Sequence, residues 1–203
     1  MGALVVLSLA SATARADTFT FNGINTGVTG TVNITQLSNN LLTVTVTNTS
    51  TGTVQGKITS IGFDLPGSGA SAFTLVSSTN SNYRLITQID GNASGINRTF
   101  EIALLTGPNF NGGGNPGRGI IEGASATFTI SGNFTGFSQE QIASGMFLRF
   151  QDVNAGGGSD VARCMGCVPP PEIPEPATMV LLGTGLAGLA GAVRKRRRVE
   201  KTD

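Results

Sequence analysis

The chain has no histidine and no tryptophan, and only one tyrosine and two cysteines among its 203 residues. Without histidine, Ser-His and Cys-His triads are excluded, and so is the commonest protein ligand for metals. Charge is scarce too. Asp, Glu, Lys and Arg make up 12% of the chain, where a soluble domain carries roughly a quarter. So few spread bases argue against a nucleic-acid partner, which must be held through its phosphates. The lack of tryptophan, with Tyr83 as the single tyrosine, removes the amphipathic aromatic platform that usually grips sugar rings. In place of these groups stand 29 Gly, 25 Thr, 16 Ser and 15 Asn. These are poor helix formers, so a long helical bundle is excluded as well.

The net charge of +1 hides an asymmetry. Six of the thirteen bases lie in the last ten residues, whereas residues 17–176 carry six bases and ten acids, a net charge of −4. The ends therefore read differently from the middle. Residues 2–14 are apolar and small, and Ala14-Arg15-Ala16 follows, an A-x-A site of the kind that ends a secretory signal peptide. Residues 1–16 are thus expected to be removed. No base precedes the apolar run, so either translation starts upstream or the sequence is cut short.

At the other end, residues 168–176 (VPPPEIPEP) form an extended, proline-rich spacer. Residues 177–193 (ATMVLLGTGLAGLAGAV) follow, seventeen residues without a charge. As a helix they would span about 26 Å, slightly less than a bilayer core of roughly 30 Å. Arg194, Lys195, Arg196, Arg197 and Arg198 come next, a cluster that favours the cytoplasmic side of the inner membrane. Pro174-Glu175-Pro176, an apolar helix and a terminal basic cluster, in that order, resemble the PEP-CTERM sorting signal of exported proteins in Gram-negative, exopolysaccharide-producing bacteria. The resemblance covers residues 173–198. It implies recognition by an exosortase, with Pro174, Glu175 and Pro176 as the sorting motif, residues 177–193 as a transmembrane helix, and residues 194–198 as the stop-transfer cluster. A plain C-terminal anchor behind a proline-rich stalk is the alternative on physical grounds alone.

Between these ends the apolar residues alternate. Residues 28–34 (VTGTVNI) and 42–47 (LTVTVT) run at period two, with Thr on the other face. Similar runs occur at 18–21, 57–63, 72–76, 83–89, 99–105, 126–130 and 146–151, divided by Gly, Asn, Ser and Pro clusters. About nine short strands predict an all-β domain over 17–163, an antiparallel β-sandwich. One helical turn is expected over 138–145, capped by Ser138. Residues 106–119 (TGPNFNGGGNPGRG) read as a long loop that is flexible or ordered by a ligand. Residues 164–176 link the domain to the anchor.

Candidate chemistry is thin. Cys164 and Cys167 form a C-x-x-C, but no histidine or third cysteine is present to complete a zinc site, so a local disulfide is the favoured reading. Asp152, Asn154 and Asp160 partly match a calcium loop, yet position twelve is Arg163 where a glutamate is needed, and an acidic glycine turn is the favoured reading. A glycosidase would need two paired carboxylates from among Asp64, Asp90, Glu101, Glu122, Glu140, Asp152 and Asp160. Nothing in the sequence pairs them. Lys57, the one lysine between residues 17 and 176, invites comparison with the isopeptide-forming lysines of some surface domains. These features predict an exported, non-enzymatic protein without a cofactor, cleaved by an exosortase and associated with extracellular polysaccharide or biofilm matrix at the cell surface. A stably anchored, periplasm-facing adhesin and a carboxylate-dependent glycan hydrolase are the rival readings.

Overall fold

The computed structural model describes residues 17–65, 68, 72–154 and 158–167. The expected signal peptide, proline-rich linker and apolar helix lie outside the described residues, and among those described no helix is long and apolar enough to cross a membrane. Ten strands form: β1 (Asp17–Gly23), β2 (Thr29–Ser38), β3 (Leu41–Asn48), β4 (Lys57–Phe63), β5 (Thr74–Ser78), β6 (Arg84–Gly91), β7 (Arg98–Leu105), β8 (Ser125–Ser131), β9 (Met146–Val153) and β10 (Gly158–Cys164). One short helix, α1 (Gln139–Ser144), precedes β9.

All pairings between these strands are antiparallel, so the all-β class is as expected. The expected two-layered sandwich fits only roughly. The strands form one continuous sheet in the order β5-β8-β3-β2-β1-β10-β9-β4-β7-β6, and it curls until it is nearly barrel-shaped. The reason is β10, a strand concealed in the sequence because it begins inside a glycine-rich turn. On one side it pairs with β1 (Phe21 opposite Cys164), on the other with β9 (Ala162 opposite Leu148). It thereby joins what would otherwise be two sheets.

The concave face buries one core. Val32, Ile34, Leu42, Val44, Val46, Phe128 and Ile130 enter it from one half, and Ile58, Ile61, Phe63, Ile102, Leu104, Leu148 and Phe150 from the other. Each such side chain contributes about 1.5–3 kcal/mol by leaving water. In β2, β3 and β8 burial alternates strictly over most of their length, and the opposite face is a hydroxyl ladder: Thr45 lies 2.8 Å from Thr127, Thr47 2.8 Å from Ser125, and Thr43 3.2 Å from Thr129, oxygen to oxygen. Buried Asn48 ends β3. Its Nδ2 donates to the carbonyls of Gly56 and Ile120, and its Oδ1 accepts from Ser50 N, which pins the crossing to β4.

β4 and β9 are buried on both faces, because a second cluster covers their convex side. Phe100, Ala103, Leu105, Phe147 and Val161 surround Phe110, which is fully buried. Phe110 belongs to the glycine-rich loop at 106–119. In the described structure that loop has a defined shape, held by its own residues and by Gln151. Asn109 Oδ1 accepts from the amides of Gly112 and Gly113, Asn115 caps a 3₁₀ turn (Pro116–Arg118), and Gln151 Nε2 donates to Gly112 O. The loop lies so flat that a Cβ on Gly114 would stand 2.1 Å from Gln151 Oε1 and 2.6 Å from Thr59 Oγ1. Glycine is required there by close approach.

Candidate functional site

On the described surface, cavities and arginine side chains coincide at a rim built by α1, the start of β7 and the end of β10. Ser138 caps α1 as expected. Its Oγ accepts from Gln141 N, and Gln141 Oε1 accepts from Ser138 N, the reciprocal capping box. The helix ends at Gly145, whose carbonyl accepts from Asp64 N at 2.8 Å; a Cβ at Gly145 would meet Asp64 O at 2.1 Å. This tight junction sets Gln141 and Ser144 beside the Asp64–Arg98 ion pair, 2.8 Å long, around a cavity of about 280 Å³. A second cavity of about 410 Å³ adjoins it, because Arg98 and Ser144 line both. Its other walls include Ile96, Asn97, Phe147 and Arg163.

Three other bases of the domain are engaged elsewhere. Lys57 Nζ lies 2.5 Å from Asp152 Oδ2, and Arg84 Nη2 donates to Gly107 O at 3.0 Å. Arg149 is buried in β9, its Nη2 donating to Ser159 Oγ. Burial holds its pKa below the usual value, while the negative charge of Asp160 works in the opposite direction. Arg118 closes the 3₁₀ turn. The guanidinium of Arg118 has no partner among the described residues but does not line this cavity, whereas Arg163 and the Asp64-paired Arg98 share a cavity whose lining contains no carboxylate. Sequence reasoning counted both arginines but did not join them, since they lie 65 positions apart and on strands that do not pair.

Cys164 and Cys167 are bonded to each other, with Cα atoms 5.7 Å apart, and Cys164 stands in the wall of the larger cavity. The calcium-loop candidates are not brought together. Asp152 faces Lys57, Asn154 pairs with Gln55, and Asp160 is fully buried. The Asp160 carboxylate accepts from Asn25 N and Nδ2, from Thr26 N and Oγ1, and from Val161 N. Burial alone would raise its pKa. The hydrogen bonds from Thr26, Asn25 and Val161 outweigh that effect and hold it below the ordinary aspartate value. Among the described residues no three His, Cys, Asp or Glu side chains cluster as metal ligands do.

Lys57, compared above with isopeptide-forming lysines, lies against Asp152; that contact raises its pKa, and both side chains are partly exposed. The other carboxylates serve the backbone or a neighbouring strand: Glu101 accepts from Leu65 N, Glu122 from Gly56 N, and Asp90 from Thr99 Oγ1. Tyr83 is no sugar platform either. It turns inward, its hydroxyl donating to Ile58 O and its ring 5.1 Å from that of Phe128, and burial pushes its pKa above the usual range.

The sorting residues Pro174, Glu175 and Pro176 and the basic residues Arg194, Lys195, Arg196, Arg197 and Arg198 lie outside the described residues. There the comparison with protein families applies: the model of the PEP-CTERM protein-sorting motif matches residues 172–197. No curated protein and no solved structure matches the chain. The match spans the proline-rich motif, the apolar run and four of the five clustered bases. The chain therefore carries a PEP-CTERM sorting motif, which implies exosortase-dependent sorting to the cell surface or extracellular space.

Proposed function

We propose that this protein is a non-enzymatic component of the extracellular matrix. An exosortase cleaves it near residues 174–176, and its β domain is released into, or held within, the exopolysaccharide of a biofilm. The sorting motif at residues 172–197 carries this reading. Two features of the domain support it. The described carboxylates other than Glu140 and Asp17 each accept a hydrogen bond or face a base, and so hold a strand, a turn or a side chain in place. The Thr ladder on β3 and β8 is free of charge and rich in hydroxyls, a surface suited to weak, repeated contacts with polymer hydroxyls.

Intact mass spectrometry of the membrane and surface fractions of the native host tests the proposal. The expected surface species begins at Asp17 and ends between residues 174 and 176. A surface species that retains residues 177–203 would overturn the cleavage, and the protein would then be an anchored adhesin.

A further inference from the structure

We propose that the rim formed by Arg98, Asn97, Ser144 and Arg163 is a binding site for a carboxylate-bearing sugar, a uronate unit of an acidic polysaccharide. This rests on the reading that the β domain works among extracellular polysaccharide, and it names the chemical class of the polymer. The domain has a net charge of −4 between residues 17 and 176, so a generic attraction for polyanions is absent. Local chemistry must supply any such affinity. The larger cavity, about 410 Å³, has room for a sugar ring, and its two arginines face no carboxylate within it.

Arg163 is exposed and has no hydrogen-bond or ion-pair partner among the described residues. Arg98 spends only Nη1 on Asp64, and its side chain is 56% exposed, which leaves Nε and Nη2 for a ligand. A guanidinium presents two parallel donors that match both oxygens of a carboxylate. Asn97 and Ser144 add neutral donors and acceptors suited to ring hydroxyls, while Ile96 and Phe147 give the cavity an apolar wall. The neighbouring cavity beyond Arg98, lined by Asp64 and Gln141, extends the rim and provides acceptors for the next sugar along a chain. Pairing with Asn22 on β1 and with Phe147 on β9 holds Arg163 in register, and the adjacent Cys164–Cys167 bond closes the strand end beside it.

Calorimetric titration of the full chain in detergent, with polygalacturonate, monomeric galacturonate and neutral dextran as probes, tests the site. Polygalacturonate is expected to bind, more weakly as salt rises. Galacturonate should bind more weakly than the polymer, and dextran should be at least about tenfold weaker, as the loss of a charge-assisted contact requires. Arg163→Gln should weaken polygalacturonate binding about tenfold or more, and Arg163→Lys should restore part of it. Arg118→Gln, which removes the same charge elsewhere, should leave it unchanged. Equal binding of dextran, equal loss in the Arg118 and Arg163 variants, or no binding of polygalacturonate would each overturn the proposal. Matrix fractionation of the Arg163→Gln protein separates this outcome from the broader reading. A wild-type protein absent from the matrix refutes the function, whereas a wild-type protein that enters the matrix yet binds no polygalacturonate refutes only the site.

Discussion

Asp160 shows how much one charged residue can organise. Its buried carboxylate gathers the backbone and side chains of Asn25 and Thr26, so the turn between β1 and β2 is fastened to β10. Because its folded pKa lies below the unfolded value of about 3.9, the stability it contributes is present above that pH and is lost as pH falls through the lower, folded value. Asp160→Asn keeps one acceptor and loses the charge, and is expected to cost about 1–3 kcal/mol at neutral pH. Urea denaturation across pH should show the gap between wild type and variant widest above about pH 5 and narrowing below about pH 4. A gap independent of pH would mean that the charge is not what matters. In the sequence this aspartate looked like a ligand in an acidic turn. Its position two residues into an unrecognised strand makes it a clamp instead.

At the scale of elements, the loop at residues 106–119 is the clearest case of tertiary structure overriding composition. Six glycines and no helix or strand pattern gave it no predicted shape. Phe110 supplies one, by packing on the convex face against Phe100, which also meets Phe147, with ring centroids 4.6 Å apart for Phe100 and Phe110. Phe110→Ala is expected to cost about 3–5 kcal/mol. Hydrogen exchange should rise first over residues 106–115 and over β9 beneath the loop. Unchanged protection there would show that Asn109 and Asn115 hold the loop without the ring. By contrast, α1 was legible beforehand, because a capping box and a short amphipathic run are local signals that need no partner.

At the scale of the molecule, the continuity of the sheet has a thermodynamic consequence. Both halves contribute side chains to one inner core, and β10 hydrogen-bonds β1 to β9. Neither half retains a closed core without the other. Calorimetry of the full chain should therefore show one cooperative unfolding transition for the β domain. Two resolved transitions would mean that the halves fold separately, as two independent layers would. The nine expected strands fall close to their observed positions, since each is a short β-prone run bounded by its own turn residues. β10 escaped notice because Asp160 occupies an inward position where an apolar residue would have marked the alternation.

The sequence by itself determined the class and the destination. Local alternation of apolar residues with threonine dictates strands, and a linear motif with an apolar run and a basic cluster is read by sorting machinery as sequence, without need of a fold. Only the tertiary structure decided that the strands make one curled sheet, that Asp160 is a clamp and Tyr83 a core residue, and that Arg98 and Arg163 share a cavity. These depend on which strands become neighbours. Pairing across long separations is governed by burial of a common core, and no single stretch of sequence contains it.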